Sequence, residues 1–148
     1  MKIRYITPGD FSAMDNILNS NGMSGVRDFP PTYLVADDCG EIIGGGGSMK
    51  IGNNTGWLGS VAVAKHRKRT GIGTAIVNAN LQIGAERGYG SMWLETYFWN
   101  SKFYESLGFE GITPDLVPEQ IRVWRTKKHC RFMVNTGCVS SSESWRVA

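Results

Sequence analysis

The chain has 148 residues, a formal net charge of +3 at pH 7 and 41% hydrophobic residues. That length supports one compact domain with its own core and is too short for two ordinary ones. The small charge does not by itself imply a nucleic-acid partner, and no apolar run approaches the roughly eighteen residues that a membrane span requires.

Lys2 to Ile6 reads as an opening strand. Thr7-Pro8-Gly9-Asp10 starts a helix with Phe11, Met14, Ile17 and Leu18 on one face, ending near Asn21-Gly22. Ser24 to Pro31 is a connection, because Pro30-Pro31 forbids a longer helix there. Tyr33 to Asp37 and Glu41 to Ile51 form a hairpin around Asp38-Cys39-Gly40. The second strand carries Gly44-Gly45-Gly46-Gly47, which reads either as an irregular edge or as a pocket wall. A turn at Asn53-Asn54-Thr55-Gly56 leads to a strand at 57–64, a glycine loop and a helix at 71–87. A strand at 91–96 and a short helix follow. Pro118 to Trp124 starts another short helix with proline at its first position, and Cys130 to Val134 reads as the closing strand. One domain is expected over residues 1–135, and the Ser-rich segment 136–148 is expected to be a mobile tail.

Cys39, Cys130 and Cys138 form no C-x-x-C pair and lack a histidine at metal spacing, so no metal site is expected. An odd cysteine count without a framework fits a reducing compartment. No early apolar run follows Lys2, so no signal peptide is expected and a cytoplasmic location is the expectation.

The segment with the most chemistry is Lys68-Arg69-Thr70-Gly71-Ile72-Gly73-Thr74. It joins a run of β-formers to a helix whose Ile72, Ile76, Ala79 and Ile83 fall on one face. A strand that turns through glycines into a helix N-terminus gathers unpaired N–H groups and the positive helix end. This is an anion site, best suited to phosphate. A dinucleotide fingerprint needs a third small residue where Ile76 stands. A Walker loop needs Gly-Lys-Ser/Thr, but Gly73 precedes Thr74-Ala75.

A second segment lies about thirty residues later, beyond the strand Ser91-Met92-Trp93-Leu94-Glu95-Thr96. It reads Asn100-Ser101-Lys102-Phe103-Tyr104-Glu105-Ser106-Leu107-Gly108-Phe109, with Asn100 as a helix N-cap and Gly108 as the stop. The two segments together resemble the paired signatures of the GCN5-related N-acetyltransferase (GNAT) superfamily: the acetyl-CoA loop, then Asn, a short helix and aromatic-Tyr-x-x-Leu-Gly-Phe. Two loop positions depart from the family pattern. Lys68 stands where Arg or Gln is usual, and Arg69 where Gly is frequent.

The resemblance implies an α+β fold: a mixed, mainly antiparallel sheet with helices on both faces and two splayed parallel central strands. It implies acetyl-CoA as co-substrate in the V-shaped gap. Backbone groups of Val61, Ala62 and Val63 would pair with its pantetheine arm, Lys68 to Thr74 would cradle the pyrophosphate, and Asn100 and Phe103 would lie beside it. Tyr104 is then the candidate acid that protonates the leaving thiolate. Many relatives carry a Glu on the first splayed strand, but residues 57–64 contain no acid, His or Tyr, and Glu95 becomes the candidate base. The closing region is similar to that of small amino-acid N-acetyltransferases, which implies a small-molecule amine acceptor. Arg122, Arg125 and Arg131 are candidates for a carboxylate clamp. A protein or tRNA acceptor, or a non-catalytic CoA-binding module, stays open. Homodimers are frequent in the superfamily, and nothing in the sequence fixes a dimer surface.

Overall fold

A single sheet of seven strands organises the chain. The structure, a computed structural model, describes residues 1–25, 30–122 and 130–137. The strands are β1 (Lys2–Tyr5), β2 (Thr32–Asp38), β3 (Glu41–Gly52), β4 (Thr55–Val63), β5 (Ser91–Tyr97), β6 (Glu110–Ile112) and β7 (Cys130–Asn135). The helices are α1 (Phe11–Ser20), α2 (Ile72–Glu86), α3 (Ser101–Glu105) and α4 (Glu119–Arg122). Strand order is β1-β2-β3-β4-β5-β7-β6, and every neighbouring pair is antiparallel except β4 with β5. The expected mixed, mainly antiparallel sheet is therefore observed.

α1 and α2 cover the two sides of the sheet with the faces that their spacing predicts, except that Phe11, expected on the α1 face, is 36% exposed at the helix start. Ile72, Ile76, Ala79 and Ile83 of α2 pack on Ile3, Leu34, Ala36 and Ile43. Met14, Ile17 and Leu18 of α1 pack on Tyr33, Val35 and Ala62, the opposite side. Tyr104 of α3 joins the α2 side with Leu94, Phe109 and Met133, while Ile121 of α4 packs with Trp93 and Phe132.

The hairpin loop is Cys39-Gly40, with φ of 53° and 93°, as a two-residue turn between twisted strands requires. The edge strand β1 is tied down by charge: Arg4 reaches both carboxylate oxygens of Asp10 at 2.7 and 2.8 Å and Asp37 at 2.9 Å. The guanidinium holds the Asp10 carboxyl well below the usual carboxylate range.

The glycine run is neither an edge nor a pocket wall. It lies in β3, between β2 and β4, with both faces covered. A Cβ on Gly44 or Gly46 would meet Ile76 of α2 at 3.1 or 2.8 Å. A Cβ on Gly45 or Gly47 would meet the Tyr33 ring at 2.7 or 2.6 Å. The ring thus lies flat against bare backbone, and its hydroxyl donates to the Ser60 carbonyl at 2.7 Å. Ser60, at φ 54°, occupies a bulge where β4 has one more residue than β3. Gly45→Ala is expected to destabilise the fold by about 1–3 kcal/mol through overpacking. The added Cβ would also meet the Leu34 carbonyl oxygen and Met14 Sδ, each at 2.8 Å, so an unchanged midpoint in denaturant unfolding would show that β2, α1 and the Tyr33 ring all yield at no cost.

β4 and β5 pair in parallel at Thr55↔Ser91, Gly56↔Met92 and Trp57↔Trp93, and no further. Beyond that point the strands diverge, β4 bent by its bulge and β5 held by β7 from Met92 to Tyr97. The expected splay is present.

Two expectations need correction or lie beyond reach. Asn100 does not cap α3 with its side chain. A 3₁₀ turn (Phe98–Asn100) runs straight into α3, so Asn100 already has helical dihedrals, φ −92° and ψ 0°, and lacks N-cap geometry. Gly108, at φ 91°, does stop α3, and Phe109 N–H returns to the Tyr104 carbonyl at 3.1 Å. The expected helix from Pro118 is α4, whose predicted continuation past Arg122 lies outside the described residues, as does all but Thr136 and Gly137 of the expected tail over 136–148.

Candidate active site

The splay opens a cleft of about 820 Å³ between β4, the loop before α2, and α3. Val61, Ala62, Val63, Lys68, Arg69, Gly71, Ile72, Gly73, Thr74, Asn100, Phe103 and Tyr104 all line it. These are the residues that the sequence singled out for the donor, with Tyr104 beside them. Thr70 is the exception: its hydroxyl turns back to the Arg67 carbonyl at 2.5 Å, away from the cleft.

The anion cradle has a clear physical origin. No side chain caps the N-terminus of α2, and the first N–H satisfied within the helix belongs to Ala75, bonded to the Gly71 carbonyl at 3.0 Å. The N–H groups of Ile72, Gly73 and Thr74 precede it, at the positive end of a fifteen-residue helix. Arg69 at φ 63° and Gly71 at φ 83° curl the loop. A Cβ on Gly71 would meet nothing within 4 Å, so this backbone is open to an approaching ligand. A Cβ on Gly73 would instead press on Phe103 at 3.3 Å, so this glycine lets α3 come close.

Sequence reasoning missed several contributors. Asn21, at the end of α1, donates to the Ile17 carbonyl at 2.8 Å and to the Val63 carbonyl at 3.2 Å, while accepting from Lys68 Nζ at 2.8 Å. It fastens α1 to both β4 and the phosphate loop across more than forty residues. Arg67 lines the cleft but is ion-paired with Asp38. Tyr97 and Trp99 form the opposite wall. The consecutive aromatics Tyr97-Phe98-Trp99 were the available signal, since three in a row at a strand end cannot all face the core.

A smaller cleft of about 350 Å³ lies on the other side of Tyr104. Glu95 lines this cleft and not the larger one. Met23, Val61, Tyr97, Asn100 and Tyr104 are common to both, so the two spaces meet there. Tyr104 is 9% exposed, wedged between the rings of Phe103 at 4.9 Å and Phe109 at 5.7 Å. Burial pushes its hydroxyl above the ordinary tyrosine range, so it stays protonated. Among the described residues no group accepts that proton in a hydrogen bond. The candidate clamp residue Arg131 lines neither cleft: its guanidinium packs over Gly111 and reaches Ser101 Oγ at 3.4 Å. Arg125 and the side chain of Arg122 lie outside the described residues. Among the described residues no group of three or more His, Cys, Asp or Glu is placed to hold a metal, and no helix is long and apolar enough to cross a membrane.

The fold is shared with known proteins. The fold matches N-acetylglutamate synthase from Neisseria gonorrhoeae, solved with coenzyme A and N-acetyl-glutamate, at a TM-score of 0.78 and 15% identity. The match covers 90% of this chain and 34% of the synthase, so the chain spans about a third of that protein's length. It also matches Rv2747 from Mycobacterium tuberculosis, solved in complex with CoA, at a TM-score of 0.74 and 16% identity over 92% and 99% of the two chains. Ard1 from Thermoplasma volcanium matches at 0.74 and 20% identity over 90% and 95%. At these identities the likeness is one of fold. No curated protein sequence matches the chain. The sequence pattern of the acetyltransferase (GNAT) family matches residues 5–109, from the first strand through Leu107-Gly108-Phe109. With that match running through both the glycine loop and the Tyr104 helix, the chain belongs to the acetyltransferase (GNAT) family.

Proposed function

We propose that the protein is an acetyl-CoA-dependent N-acetyltransferase that acts on a small-molecule amine by direct transfer. The observation that carries this reading is the meeting of two clefts at Tyr104, one of them ending at an uncapped helix N-terminus. The larger cleft suits the donor. The N–H groups at the start of α2 and the side chains of Lys68 and Arg69 would hold its pyrophosphate. The stretch of β4 beyond Trp57, no longer paired with β5, would offer Val61, Ala62 and Val63 backbone to the pantetheine arm. The bound donor supplies an electrophilic thioester carbonyl and a thiolate leaving group.

The chain's own residues would then do three things. The clefts bring the acceptor nitrogen to the thioester carbon, which removes much of the entropic barrier of a bimolecular step. Glu95 takes the proton of the arriving ammonium, directly or through water, and the neutral nitrogen attacks. The N–C bond forms and the C–S bond breaks. Tyr104 delivers its proton to the departing sulfur, the surplus proton on nitrogen passes through water to restore the Tyr104 hydroxyl, and Glu95 releases its own proton to solvent.

Acetyl-CoA is expected to bind once per chain and to raise the melting temperature, by about 2.7 kcal/mol of stabilisation at a hundred times its dissociation constant. NAD should give no such shift, because the loop lacks a dinucleotide fingerprint. A protein stabilised by NAD and indifferent to acetyl-CoA would end the proposal. Turnover of acetyl-CoA against a panel of amines, amino acids and peptides then tests the transfer.

Glu95→Gln separates two roles. As the base, its loss should depress turnover most at low pH, where the amine arrives protonated, with partial recovery as pH rises. As an ammonium ligand only, its loss should raise the acceptor KM with little change in kcat. A variant equal to wild type in both parameters across pH would remove Glu95 from the site.

A further inference from the structure

α1 stops beside the donor cleft in a rigid turn. Gly22, at φ 73°, returns its N–H to the Asn19 carbonyl at 3.1 Å, and Met23 returns its N–H to the Leu18 carbonyl at 2.9 Å. This glycine stop fixes Asn21 as the C-cap of the helix. Asn21 is half-buried and lines the cleft, and its amide is held from both ends. Nδ2 donates to the carbonyls of Ile17 and Val63, and Oδ1 accepts from Lys68 Nζ. The reverse orientation would turn the amide oxygen on two carbonyl oxygens and its NH₂ group on an ammonium. Only one orientation is therefore satisfied, and it presents a neutral acceptor to Lys68.

The two cations before the cradle are treated differently. Arg67 lines the donor cleft, but Asp38 and Glu41 both pair with it and offset its charge. Lys68 lines the same cleft, and among the described residues it pairs with no carboxylate. An amide oxygen orients an ammonium without cancelling its charge. It occupies one of three N–H groups and leaves two for an anion. A lysine loses rotamer freedom when it grips a ligand, and a neighbour that holds it beforehand removes part of that cost.

We infer that Asn21 is a positioning residue for the donor: it aims Lys68, still fully charged, at the pyrophosphate. The inference rests on the donor-site reading above and adds to it a residue of α1, outside both signature segments of the sequence.

The test titrates CoA by calorimetry into wild type, Asn21→Ala, Lys68→Ala, the double variant with both alanines, and Asn21→Asp. Asn21→Ala should weaken binding about three- to tenfold, within what the ordering of one lysine side chain is worth. Lys68→Ala should weaken it at least as much. Because Asn21 acts through Lys68, the double variant should match Lys68→Ala within about twofold. A purely structural role, exerted through the Ile17 and Val63 carbonyls, would make the two losses multiply instead. Asn21→Asp keeps an acceptor for Lys68 but neutralises it, so CoA should bind more weakly than to Lys68→Ala, by a margin that shrinks as salt rises. Circular dichroism checks folding, and the alanine cycle decides alone if Asn21→Asp does not fold. Unchanged affinity in folded Asn21→Ala, multiplied losses in the double variant, or folded Asn21→Asp binding as tightly as wild type overturns the inference and leaves the donor site standing. A wild-type protein that binds no CoA overturns both.

Discussion

Gly71→Asp is expected to abolish CoA binding, weakening it at least about a hundredfold, while the protein stays folded. The carboxylate would stand where the cradle is open, beside the N–H groups of Ile72, Gly73 and Thr74. Two like charges about 4 Å apart near a protein surface repel by roughly 4 kcal/mol, ample for that loss. The same charge satisfies the helix end that phosphate would otherwise satisfy, so the mutant side chain also competes for the donors. Stability should change little. Residue 71 has φ 83°, a strained setting that Asp tolerates better than most residues, and an acidic N-cap is favourable for the helix. Gly71→Asn isolates the charge, since it adds nearly the same atoms without it, and should bind CoA more tightly than Gly71→Asp. Calorimetric titration of the folded variants is the measurement. An unchanged dissociation constant in Gly71→Asp would remove the loop from the site.

Tyr104→Phe should cut turnover by about ten- to a thousandfold with acetyl-CoA affinity near wild type. The ring is held by Phe103 and Phe109 and stays in the variant, so the substitution deletes the hydroxyl and leaves the packing. Tyr104 lines both clefts, and burial keeps its hydroxyl protonated across the working pH range. It therefore carries its proton when the sulfur departs, and the same burial makes that proton costlier to release than an exposed tyrosine's. Water as a substitute donor sets the low end of the range. Single-turnover kinetics is the proper readout, because slow product release would mask a change in chemistry. Full turnover in a folded variant, with chemistry rate-limiting, would make Tyr104 a packing residue.

Much of this architecture was legible in residue order because it follows from local periodicity. The α2 stripe, Ile72-Ile76-Ala79-Ile83, is the face found in the core. Gly71 announced the open backbone, while Gly73 turned out to make room for Phe103, and Leu107-Gly108-Phe109 announced the end of α3. Where the local reading failed, the reason was either the preceding turn of chain or a tertiary partner. Asn100 has the chemistry of a cap, but the aromatic run before it is wound into a 3₁₀ turn that removes the geometry. The four glycines weaken a strand in isolation. They are required here because Tyr33 lies on one face of β3 and Ile76 presses on the other.

The sequence by itself determined the family, the elements and the phosphate loop, since each depends on residues within a few turns of chain. Only the tertiary structure decided what those parts enclose. The bulge at Ser60, held by Tyr33 from β2, bends β4 away from β5 and opens the donor cleft. Asn21 reaches Val63 and Lys68 only because α1 ends beside the tip of β4. Glu95 and Tyr104 come to one cleft because β5 and α3 both border the splay, and Arg131 is excluded because β7 faces it toward Gly111 and Ser101. Periodicity reports which side of an element avoids water; it carries no information on which distant side chain will be found there, because sheet order and strand divergence set those distances.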